Sequence, residues 1–103
     1  MGGLIWGVSS ALHEATEIDR PHYNTDLAGH LIPVSADIET AEVIFVPEKD
    51  RQVNDLGIKG LGELSNVGTN AAVANAVYHA TGVRIRELLI RLEKLLDAPA
   101  LAL

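Results

Sequence analysis

Residues 67–82 read Val67-Gly68-Thr69-Asn70-Ala71-Ala72-Val73-Ala74-Asn75-Ala76-Val77-Tyr78-His79-Ala80-Thr81-Gly82, and this stretch decides how the chain folds. Alanine is the best helix former, and Asn66 or Thr69 is suited to cap the free N–H groups of a first turn. Gly82 supplies a stop, because a helix commonly ends on a residue in the left-handed conformation that glycine adopts without penalty. The stretch therefore predicts a helix running to about Ala80. Val67, Asn70, Val73, Ala74 and Val77 share a narrow face of small side chains, which can lie tightly against a sheet or another helix.

Immediately upstream stands Gly57-Ile58-Lys59-Gly60-Leu61-Gly62-Glu63. Gly60 and Gly62 have no Cβ, so the backbone can turn tightly or pass close to a ligand while Glu63 projects from the same turn. A lone carboxylate presented this way is a candidate general base. The glycines match neither a dinucleotide-binding fingerprint nor a phosphate-binding loop, so this segment is not read as a nucleotide site.

Downstream, Ile85, Leu88, Leu89, Leu92, Leu95 and Leu96 recur at helical spacing, with Arg84, Arg86, Glu87, Arg91 and Lys94 on the remainder. This predicts a second C-terminal helix whose leucines need a covering surface, within the domain or on another chain. At the N-terminus, Leu4, Val8, Ala11, Leu12 and Ala15 predict a helix over residues 3–15. Gly3 and Gly7 lie four apart on one face of it and let another backbone come close. Residues 18–36 are broken by Pro21, Asn24, Gly29 and Pro33 into loop with short extended pieces. Residues 41–46, Ala-Glu-Val-Ile-Phe-Val, are β-branched and aromatic, predicting a strand closed by Pro47. The charged run Glu48-Lys49-Asp50-Arg51-Gln52 reads as a solvated turn. Together these elements give an α+β fold over residues 1–103: a small single domain with an N-terminal helix, a short strand or strands, and two C-terminal helices. Trp6 and Phe45 are expected in its core.

Composition excludes several functions. The 103 residues carry 8 basic and 14 acidic side chains, a net charge of −6, with no basic cluster to neutralise phosphate. Nucleic acid and anionic membrane surfaces are therefore not expected partners. The absence of cysteine excludes disulfides, thiolate zinc sites and cysteine-held iron–sulfur clusters from this chain. His13, His22, His30 and His79 are scattered, with no pair at the spacing that converges two imidazoles on a helix face. Ser9, Ser10 and Ser65 lack the strand–turn–helix setting of a hydrolase nucleophile. No apolar run approaches the roughly 20 residues of a membrane span, and no basic stretch precedes an apolar one at the N-terminus. These features point to a cytoplasmic location.

The order and spacing of Gly2-Gly3-Leu4-Ile5-Trp6-Gly7, Asp26-Leu27-Ala28, Ile32-Pro33, Gly57 to Glu63 and Ala72 to Val77 resemble one family. They are similar to the C-terminal end of the molybdenum-binding large subunit of the xanthine dehydrogenase and aldehyde oxidoreductase family, over about residues 2–97. The resemblance implies that Glu63 is the general base beside the molybdenum centre. It further implies hydroxylation of an aldehyde or N-heterocycle with oxygen from water, the electrons leaving through iron–sulfur clusters and flavin held elsewhere. Gly60 and Gly62 would bring the loop close to the molybdopterin cofactor.

The departures bear on partners. A glutamine that precedes the first helix in the family has no counterpart before Met1, and most pterin contacts lie upstream in the family. Where the family has a Leu-Pro-Ile-Thr stretch, this chain has Leu88-Leu89-Ile90-Arg91, which favours a longer helix. The chain is thus expected to bind the cofactor only with a larger molybdenum-binding subunit, contributing Glu63. Alternatively, it is a detached, non-catalytic domain that self-associates.

Overall fold

The structure is a computed structural model that describes residues 1–19, 22–23 and 25–96. Its first helix, α1, spans Gly2–Leu12, and α2 spans Thr69–Thr81. Between them lie two-residue strands β1 (Ile18–Asp19) and β2 (His22–Tyr23), and single 3₁₀ turns at Ser35–Asp37 and Leu64–Asn66. A four-residue helix α3, Glu93–Leu96, follows.

The expected α+β architecture is therefore wrong: the fold is helical. β1 and β2 pair antiparallel, Ile18 opposite Tyr23, but two residues a side make no layer that could carry a core. Residues 41–46 form no ladder, and Ile44, Phe45 and Val46 are 80%, 70% and 86% exposed. Strand propensity expresses a fit to a pleated, half-buried surface, and these residues have no such surface beside them. Pro21 and Asn24 lie outside the described residues.

The last predicted helix is also cut down, from 85–96 to Glu93–Leu96. Its leucine periodicity is overridden by a tertiary hydrogen bond. The N–H of Ile90 donates to the Ala11 carbonyl oxygen at 2.9 Å, satisfying one of the unpaired carbonyls that every helix leaves at its end. Among the described residues Ile90 and Ala11 are the buried hydrophobic ones, at 5% and 0% exposure. Arg91 pairs with Glu17 beside them, and Lys94 Nζ donates to the Glu87 carbonyl at 2.9 Å. Tying Ile90 to the end of α1 takes its N–H out of any helix of its own.

The seam between α1 and α2 is built from small residues. A Cβ placed on Gly3 would sit 2.6 Å from Ser65 Oγ, and one on Gly7 would sit 2.4 Å from Thr69 Cβ and 2.8 Å from Asn66 Oδ1. One turn further, the Ser10 hydroxyl donates to Asn70 Oδ1 at 2.8 Å. Gly3, Gly7 and Ser10 fall at i, i+4 and i+7, so the face that the sequence marked for close approach is the one used. Asn66 and Thr69 serve there rather than as caps: Gly68 occupies the N-cap position, and Thr69 Oγ1 donates to the Ser65 carbonyl at 2.7 Å. The C-terminal stop is as expected, with Gly82 at φ 71° and its N–H bonded to the Tyr78 carbonyl.

This seam is the densest part of a thin body. Trp6, expected in the core, is 47% exposed. The accessible surface is 8635 Å², where roughly 5,600 Å² is usual for a folded monomer of this mass. The radius of gyration, 18.0 Å, compares with about 13 Å for a compact domain of 100 residues.

Candidate functional site around Glu63

The loop that carries Glu63 is pinned at both ends. On its upstream side the Asn54 side chain closes a turn on itself, accepting from Ile58 N–H at 3.2 Å and donating to the Ile58 carbonyl at 2.6 Å. Gly57 sits inside that turn at φ 67°, a left-handed position that a side chain would strain. Lys59 then reaches Glu48 at 2.8 Å and Asp50 at 3.8 Å, so the charged turn expected only to be solvated in fact holds the loop's entrance.

On the downstream side, the Glu63 carbonyl accepts from Asn66 N–H at 2.9 Å and starts the 3₁₀ turn Leu64–Asn66. Ser65 and Asn66 of this turn are the residues packed onto Gly3 and Gly7. The position that a Gly3 Cβ would take is 3.8 Å from the Glu63 Cα, so the missing side chain of Gly3 brings α1 directly under the Glu63 backbone.

Glu63 itself adopts φ 55°, ψ 6°, alone among described non-glycine residues in having positive φ. Left-handed backbone costs an L-residue roughly 1–2 kcal/mol, and it persists only where surrounding structure enforces it. Here the enforcing contacts are the turn behind it and the glycine seam beneath it. The side chain is exposed, and among the described residues it makes no hydrogen bond or ion pair. A carboxylate held on a strained backbone with no internal partner is available to something outside the chain.

Gly60 and Gly62 behave differently from the seam glycines. Neither has positive φ, and a Cβ on either would meet nothing within 4 Å. No contact inside the chain demands their lack of a side chain. The sequence singled out these two glycines as the ones that matter to Glu63, whereas the structure puts Gly3 under it and Gly7 under Asn66 and Thr69, which follow it. The four-residue spacing of Gly3 and Gly7 was visible, but its link to residue 63 required the contact between α1 and the 3₁₀ turn.

Two grooves lie elsewhere: one of about 190 Å³ between α2 and residues 85–90, the other of about 250 Å³ between the start of α1 and residues 33–41. Glu63 lines neither. Among the described residues no cluster of three His, Asp or Glu side chains could ligate a metal ion. No helix of the described residues is long and apolar enough to cross a membrane.

The chain belongs to the molybdenum-binding subunits of the aldehyde oxidoreductase and xanthine dehydrogenase family, as a homologue of one short segment of them. It is 46% identical over 100 residues, 94% of this chain, to the aldehyde oxidoreductase molybdenum-binding subunit PaoC of Escherichia coli K12, of which it covers 14%. It is 36% identical over 98 residues, 94% of this chain and 10% of the relative, to the aldehyde oxidoreductase of Megalodesulfovibrio gigas. To the xanthine dehydrogenase molybdenum-binding subunit of Escherichia coli O157:H7 it is 36% identical over 90 residues, 84% of this chain and 12% of the relative. The chain therefore spans only 10–14% of the length of these curated relatives. No family model matches it.

Proposed function

We propose that this chain supplies the general-base glutamate of a molybdenum hydroxylase whose cofactor is held by a larger molybdenum-binding subunit. The observation that carries this reading is Glu63: exposed, unpaired among the described residues and held at φ 55° by a turn packed on α1. A carboxylate retained only for stability would be expected in an ion pair or a helix cap, and a strained backbone position points instead to a function.

The molybdenum group, when bound, supplies the two-electron oxidation of an aldehyde or N-heterocycle. This chain's part is positional. Gly60 and Gly62 leave open space on one side of the loop, where a bulky cofactor can approach the backbone. Glu63 then takes a proton from the attacking oxygen, a role that needs it ionised and within hydrogen-bond reach. The chain alone is inactive on this reading, because the larger subunit holds the cofactor.

Co-expression with a larger molybdenum-binding subunit tests the proposal. Glu63→Gln should lower kcat/KM for aldehyde or purine oxidation by about 10²- to 10⁴-fold while molybdenum content stays constant. Loss of the metal in that variant would make Glu63 structural, and unchanged turnover would end the reading.

The second reading is a detached non-catalytic domain that self-associates and so covers part of its exposed apolar surface. It predicts oligomers at micromolar concentration by sedimentation and no complex with the larger subunit.

A further inference from the structure

Residues 41–46 combine two features that rarely coexist in a folded chain. Their side chains are those of a buried strand, with Val43, Ile44, Phe45 and Val46 apolar in succession rather than alternating. Such continuous runs belong to strands covered on both faces. Yet among the described residues none of the six makes a backbone hydrogen bond, and Ile44, Phe45 and Val46 are exposed. An extended segment with its N–H and C=O groups free is a template for pairing with another sheet edge. Its guards stand at its ends, Glu42 and Pro47, and no charged residue interrupts residues 43–46 between them.

We infer that residues 41–46 dock as an added strand on an open sheet edge of the larger molybdenum-binding subunit. Main-chain hydrogen bonds would give the affinity and the apolar side chains the specificity. This deepens the proposed function, on which the choice of partner rests.

The area argument selects that partner over a second copy of the chain. The surface in excess of a folded monomer's is roughly 3,000 Å², nearly four times the ~800 Å² that each side of a standard interface buries. A two-fold dimer covers one self-complementary patch. Here exposed large apolar residues recur from Met1 and Trp6 through Leu27, Phe45, Leu56 and Val67 to Leu96 on a body measuring 54 × 43 × 25 Å. Covering so thin and wide a body takes a partner larger than itself.

Hydrogen exchange on the free chain and on the co-expressed complex reads the contact directly. Amides of residues 41–46 should exchange freely in the isolated chain and slow by about tenfold or more in the complex. Ile44→Pro and Phe45→Pro each remove one N–H, and neighbouring N–H groups of a strand point to opposite sides. At least one of the two should reduce complex yield by about an order of magnitude, with the helical circular dichroism of the chain unchanged. Fast exchange at 41–46 within a formed complex would overturn the inference and leave the role of Glu63 intact. Protection that appears in the isolated chain and vanishes on dilution would assign the strand to a second copy, overturning the partner. A protected strand in a complex whose turnover ignores Glu63→Gln would instead remove the catalytic reading and keep the docking. Failure of the two chains to associate would overturn both.

Discussion

The corner where α1 meets α2 and the stretch from residue 38 to residue 62 both carry large apolar side chains, those of the second interspersed with charged ones, and only the first is packed. At the corner, Gly3, Gly7 and Ser10 bring two backbones together over Ser65, Asn66, Thr69 and Asn70. In the stretch, Ile44, Phe45, Val46, Leu56 and Ile58 stay exposed, and order comes from the Asn54 turn and the Lys59 ion pairs. A run of large apolar side chains is thus a poor guide to where this chain is packed. Close packing needs a complementary surface at hand, and the corner alone has one. Glu63 stands at the border, with the open stretch ahead of it and the packed corner behind.

Substitutions can break this contrast at chosen points. Gly7→Ala should have the largest effect on the isolated chain, because its Cβ would lie 2.4 Å from Thr69 Cβ and 2.7 Å from Thr69 Cγ2. Overpacking of that kind costs about 1–3 kcal/mol, seen as a lower thermal midpoint by circular dichroism at 222 nm. An unchanged midpoint would mean that the corner does not hold the helices together.

A smaller change of opposite sign is expected at the border. Glu63→Gly relieves the left-handed strain and should raise stability by roughly 0.5–1 kcal/mol in urea titration, while turnover of the complex falls as with Glu63→Gln. A loss of stability would show that the side chain makes a contact that matters to the fold.

The smallest effect belongs to the open side. Gly60→Ala meets nothing within 4 Å and has no positive φ to strain, so the isolated chain should gain at most about 0.4–1 kcal/mol from a stiffer unfolded state. In the complex the same methyl should depress kcat/KM if a cofactor approaches there. Wild-type activity would take Gly60 out of the site.

The two C-terminal segments show what was legible in advance. Residues 69–82 hold a helix because alanine content, face pattern and the Gly82 stop all agree, and no distant contact opposes them. Residues 85–96 have stronger leucine periodicity but lose most of the helix. The Ile90 N–H goes to Ala11, nearly eighty residues away in sequence, which no local pattern encodes. The strand expected at 41–46 fails for the related reason that a strand is a property of a pair. At the site, Glu63 was visible as an acid after two glycines. Its left-handed backbone was not, because it is imposed by the turn and by α1 rather than by residues 60–62.

By itself, the sequence determined the family, the two main helices, the stop at Gly82 and the identity of the carboxylate on which the proposed function depends. These follow from residue types and near-neighbour spacing, which act within a turn or two of chain. Only the tertiary structure decided that Gly3 lies under Glu63, that Ile90 closes the end of α1 rather than continuing a helix, and that residues 41–46 have no hydrogen-bond partner among the described residues. Each of those outcomes turns on whether residues far apart in the chain meet. Whether such a contact forms depends on which surfaces meet, a matter that local propensity does not govern.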